Sequence, residues 1–130
     1  MDEDGNLPPG IYLVALEEVV ARFGSGTQER AVEAAELTDF VQWSRQNGVK
    51  RLLVGGSFVS AKAAPNDVDV VILPGEGFEE RLLFILTRPE QWPFIHINVA
   101  PDEADLGRWA REDFGNDRAG RARGVLEVVL

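Results

Sequence analysis

The chain has 130 residues, 45% hydrophobic and 27% charged, no cysteine, and a net charge of −9 from 22 acidic and 13 basic residues. That length and balance predict one soluble domain over 1–130 built on a single core. They exclude a disulfide framework and a thiolate zinc site, and the acidic excess argues against a broad nucleic-acid interface such as long duplex binding requires.

The opening MDEDGNLPPG is acidic and turn-rich, the opposite of a secretory signal. No apolar run approaches the about 20 residues of a membrane helix. The expectation is therefore a cytoplasmic protein with no membrane partner. After a Pro-Pro-Gly turn, IYLVALEEVVARFG carries Glu17 and Glu18 ahead of Val19, Val20 and Phe23, which predicts a helix of two to three turns stopped by Gly24. Thr27 then offers an N-cap. From about Gln28 to Gln46, Val32, Ala35, Leu37, Phe40, Val41 and Trp43 recur at roughly helical spacing, and Asn47-Gly48 supplies the stop.

The second half alternates in type. VKRLLVGG reads as a strand ended by glycine, and DVDVVILP as a β-branched strand stopped by Pro74. GFEERLLFILTRP reads as a helix with Leu82, Leu83, Ile85 and Leu86 inward, ended before Pro89. FIHINVAP is a third strand, DEADLGRWAREDFG a helix with an acidic first turn that suits its dipole, and GVLEVVL a closing fourth strand. Strands interleaved with helices predict an α/β (α+β) layer fold. The densest basic cluster, Arg118, Arg121 and Arg123, reads as a solvated loop that balances local acid.

The chemistry concentrates in VGGSFVSAKAAPNDVDVVIL, residues 54 to 73. Residues two apart on a strand face one side, so Asp67 and Asp69 project together, about 6–7 Å apart, with Val68 and Val70 opposed. Their mutual repulsion is relieved by a divalent cation, and carboxylate oxygens are the ligands that Mg²⁺ prefers. The bland alternative is a solvent-facing acidic strand, but the run Val70-Val71-Ile72-Leu73 predicts a strand covered on both faces with the aspartates near its exposed start. Gly55-Gly56-Ser57 after a strand is by itself an ordinary tight reversal. Its functional use would be close approach of phosphate oxygens to backbone N–H groups and the Ser57 hydroxyl. It is neither a Walker loop nor a Rossmann fingerprint.

VGGS followed by DVDV resembles the signature of the DNA polymerase beta-like nucleotidyltransferase superfamily. LPPGIY, LEEVVARFG, GGSFVSAKAAPNDVDVVI and FGNDRAGRARGVLEVVL are similar to a bacterial nucleotidyltransferase-like family of uncharacterised function, a likeness covering nearly the whole chain. The resemblance implies a mixed β-sheet with flanking helices. It also implies that Gly55, Gly56, Ser57 and Lys62 hold the phosphates of an NTP, and that Asp67 and Asp69 bind Mg²⁺ or Mn²⁺. A third carboxylate would come from the FIHINVAP strand, whose polar face carries Phe94, His96, Asn98 and Ala100. Asn98 is the best placed, and it departs from the pattern, because an amide brings no negative charge and is no general base. Asp102 or Asp105 would substitute from the next turn, and His96 is a candidate base or ligand. The implied activity is transfer of a nucleoside monophosphate to a hydroxyl on an RNA end or a protein, in a toxin–antitoxin or defence pair. The alternative is a catalytically degenerate protein of the same fold that acts by binding a protein partner.

Overall fold

The computed structural model describes residues 6–59, 67–86, 88, 90–116 and 119–130, the backbone but not the side chain at residue 57 included. Lys62 and Arg118, both singled out above, lie outside the described residues, as does the Ser57 side chain.

Five strands form one mixed sheet: β1 (Gly10–Val14), β2 (Val49–Gly55), β3 (Val68–Pro74), β4 (Ile95–Val99) and β5 (Gly124–Val128), in the order β1-β5-β2-β3-β4. β1 runs parallel to β5 and β3 parallel to β4, while β2 is antiparallel to both of its neighbours. The helices are α1 (Leu16–Phe23), α2 (Gln28–Gln46), α3 (Arg81–Leu86) and α4 (Glu103–Arg108), the last running into a π-turn over Trp109–Asp113. A parallel pair needs a crossover, and α3 supplies the one between β3 and β4. Within the described residues, no helix is long and apolar enough to cross a membrane.

The helix of two to three turns before Gly24 forms as expected, but the sequence reading assigned no strand to the apolar Ile11–Val14 that precede it. Pro8-Pro9 and a Gly10 at φ +137° stop any helix from starting there, and the bulky Ile-Tyr-Leu-Val run suits a pleated strand. The helix begins only at Leu16, with Ala15 as an N-cap residue that makes no side-chain bond. A single residue separates strand from helix, so the two apolar patterns run together in the sequence.

Each sheet face has its own core. Leu52, Val54, Val68, Val70, Ile72, Leu126 and Val128 pack under α1 and α2, while Leu53, Val71, Leu73 and Val125 pack under α4 with Leu106, Ala110 and Phe114. The run Val70–Leu73 is thus covered on both sides, as expected of a strand without polar alternation.

α2 is rotated from its predicted phase. Leu37, Phe40 and Val41 are buried and Trp43 packs beside them, but Val32 and Ala35 are exposed; Arg30, Glu33, Ala34 and Ser44 take the inward positions. Arg30 explains the rotation. Its Nη1 donates to Phe23 O at 3.0 Å and to Phe58 O at 2.8 Å, tying the end of α1 and the 3₁₀ turn Gly56–Val59 to α2. Charged hydrogen bonds of this kind offset the burial of a guanidinium, which an apolar pattern cannot anticipate.

Candidate active site

The site is built where β2 ends. Gly55 is the register partner of Asp69 on β3, and Asp69 is in turn the partner of His96 on β4. The two glycines are required for different reasons. A Cβ on Gly55 would lie 2.6 Å from Phe114 Cγ, so the ring of the segment covering this face sits directly on its backbone. Gly56 has φ +75°, and a methyl there would overlap the Asp69 carboxylate at Oδ2. The chain turns in the left-handed region at that point because only glycine both adopts it cheaply and leaves room for the carboxylate.

Asp69 Oδ2 therefore faces the glycine turn, and Oδ1 lies 3.3 Å from His96 Nδ1. The histidine side chain is 67% exposed and that of Asp69 32%, so the pair spans the boundary between sheet and solvent. Burial pushes the Asp69 carboxyl above its ordinary range, and the neighbouring Asp67 pushes the same way; the hydrogen bond and charge of His96 oppose the shift, as does Arg123. The shift is chiefly a burial effect that His96 and Arg123 only partly offset, and carboxyls perturbed in this way concentrate at functional sites.

Asp67 is exposed just ahead of β3 and borders an open cleft of about 420 Å³ at the β4 edge, together with Arg88, Trp92, Ile95 and His96. The cleft joins an acid, a base and a guanidinium above an apolar floor. Asn98 is one pleat further along β4: its register partner is Val71, and its Nδ2 donates to Val70 O at 3.2 Å. The strand neighbour of Asp69 is His96. The two acidic substitutes are otherwise engaged. Asp102 caps α4 by accepting from Asp105 N at 2.8 Å, and Asp105 pairs with Arg108.

Sequence reasoning missed two contributors. Arg123, from the cluster read as a solvated loop, is half-buried, donates from Nε to Phe114 O at 3.2 Å and is close enough to lower the Asp69 pKa. Glu33 is only 3% exposed, and its Oε2 has no hydrogen-bond partner. Burial raises its pKa; Arg30 opposes the rise, and Asp67 adds to it. Glu33, on α2, is thus a buried carboxylate in electrostatic reach of Asp67, but it lies on the sheet face opposite Asp69 and does not join the Asp69–His96 pair. Its signal was present, since position 33 falls in helical step with Leu37, Phe40, Val41 and Ser44, but an acidic residue is not counted in an apolar stripe. Among the described residues, no three His, Asp or Glu side chains converge closely enough to hold a metal by themselves.

Residues 1–129 match the sequence profile of a family of unknown function, DUF6932. The chain belongs to that family. No curated protein and no solved structure matches it.

Proposed function

We propose that this family member has the nucleotidyltransferase-like fold and is a Mg²⁺- or Mn²⁺-dependent nucleotidyltransferase, transferring a nucleoside monophosphate from an NTP to a hydroxyl on an RNA end or a protein. The observation that carries the reading is the fitted contact between the left-handed Gly56 and the Asp69 carboxylate, with His96 on the other oxygen of that carboxylate. A glycine turn set against a strand aspartate is what phosphate binding beside a cation requires.

The donor set fits the cation. Mg²⁺ is commonly held by one or two carboxylates plus substrate phosphates rather than by a full protein cage, so Asp67 and Asp69 suffice without a third converging ligand. The bound ion would neutralise charge on the phosphates and lower the barrier to displacement. The chain's own residues do the rest. Backbone N–H groups of the turn at Gly55, Gly56 and Ser57 cradle phosphate oxygens, and Arg88, which lines the cleft with Asp67 and His96, offers a guanidinium to an anionic substrate. Asp69 Oδ1 accepts from His96 Nδ1–H and fixes the tautomer in which Nε2 is free. That nitrogen takes the acceptor hydroxyl's proton while its oxygen bonds the α-phosphorus and the bond to the bridging oxygen breaks, releasing pyrophosphate. His96 thereby performs the task that the resemblance assigns to a carboxylate and that Asn98 cannot.

The test is incubation with each labelled NTP, Mg²⁺ or Mn²⁺ and a cell extract. The expected result is labelled RNA or protein that disappears with Asp69→Asn and falls about 10²–10⁴-fold with His96→Asn. If His96 is not the base, Asn98→Asp raises turnover instead. A second reading rests on the lack of three converging ligands among the described residues: a degenerate member that works by binding a cognate toxin or antitoxin protein in the cytoplasm. No labelling by the parent, together with Mn²⁺ binding that is unchanged in the Asp67→Ala/Asp69→Ala variant, overturns the enzyme reading.

A further inference from the structure

We propose that the free edge of β1 pairs, antiparallel, with β1 of a second copy of this chain, about a two-fold axis at Tyr12. Among the described residues β1 is an outer strand of the sheet, bonded on one side only, to β5. Such edges are normally protected by charge, proline or a bulge within the strand. This one reads Gly-Ile-Tyr-Leu-Val and leaves Ile11 49% and Leu13 69% exposed. Both stand on the α4 side of the sheet, as register partners of Val125 and Glu127, beyond the cover that α4 provides.

The backbone is set for pairing. Val129 N donates to Val14 O at 2.9 Å, so Val14, and with it Tyr12, turns its polar groups toward β5. Alternation turns the N–H and C=O of Ile11 and Leu13 outward. Opposing Ile11 with Leu13 of the second copy, and Leu13 with its Ile11, makes two hydrogen-bonded pairs flanking Tyr12. Four aliphatic side chains then cluster on the α4 side.

The opposite side argues for a copy of the same chain. There a largely apolar cleft of about 340 Å³ lies between β1 and α1, bordered by Tyr12, Val19 and Phe23, with Glu18 and Arg22 also lining it. A two-fold axis perpendicular to the sheet sets α1 antiparallel to its mate, so Glu18 of each copy faces Arg22 of the other. The strand carries no charge of its own, and the charged pair on the α1 side, Glu18 and Arg22, is complementary under the rotation. On the α1 side this edge is therefore one where two chains of net charge −9 meet without local repulsion; on the α4 side Ile11 lies beside Arg111 and Arg123, and Leu13 opposite Glu127.

The experiment is light scattering and sedimentation of the whole chain from low to high micromolar concentration. A mass that doubles with concentration is expected. Leu13→Lys should give a monomer at all concentrations with an unchanged circular dichroism spectrum. Glu18→Arg alone and Arg22→Glu alone should each weaken dimerisation on the order of tenfold, and the two together should restore it. The charge exchange reads the interface even if Leu13→Lys disturbs folding. A parent that stays monomeric, or a dimer indifferent to both Leu13→Lys and the single charge reversals, overturns the proposal.

Discussion

The α4 side of the sheet carries charge at two places, and they are handled in opposite ways. Beside Leu53, Arg51 on β2 grips Glu127 of β5 with Nε and Nη2 at 2.9 and 2.6 Å, and its Nη1 reaches Glu103 of α4 at 2.6 Å. Those bonds raise the guanidinium's pKa further and lower that of Glu103. At the end of β2, Asp69 has one histidine at 3.3 Å and a second aspartate nearby, and its carboxyl is held above the usual range. Charge matched by a bidentate partner fastens strands and a helix together. A carboxylate half-buried beside a turn with only one loose partner costs stability and is retained where it has another use.

The largest expected effect tests how tightly the second place is built. Gly56→Ala should lower unfolding stability by about 3 kcal/mol or more in urea titration, since it adds left-handed strain to an overlap with Asp69. Adding Asp69→Ala should recover the overlap part and leave only the strain, about 1–2 kcal/mol. If the double variant is no better than Gly56→Ala, the two residues are not fitted to each other.

Arg51→Met probes the first place. Glu127 would be left largely buried without its partner, for a loss of about 2–4 kcal/mol, and Glu127→Leu added to Arg51→Met should restore most of it. The comparison weakens if Arg51→Met is neutral, for Arg51 would then be no fastener.

Asp69→Asn should move stability the other way by a smaller amount, raising Tm by a few degrees at pH 7–8. A carboxyl whose folded pKa is raised carries no penalty below its unfolded pKa of about 3.9, where it is protonated in both states. The penalty grows as pH rises through the folded pKa. The advantage of Asp69→Asn should therefore vanish near pH 3, and Glu33→Gln should behave likewise with a lesser gain. Thermal melts at pH 3, 5 and 8 check both, and a variant less stable than the parent at pH 8 would mean that the carboxylate fastens the site after all.

The sequence by itself determined the elements that are governed by local rules. Thr27 accepts from Arg30 N at 3.2 Å as the cap of α2, and Gly48 follows the helix at φ +82°. Strands form near 50–54, 67–73 and 94–100, and the run Val70–Leu73 is buried on both faces. These features follow from backbone preference and apolar periodicity over a few residues, which the order of side chains encodes directly. Only the tertiary structure decided that the Ile11–Val14 run is a strand, that Arg30 and Glu33 point inward, and that His96 rather than Asn98 stands beside Asp69. Each depends on a partner far along the chain: β5 for the strand, Phe58 O for Arg30, and the β3–β4 register for the histidine. A shift of one residue in that register would exchange the faces of β4, and no local propensity sets it.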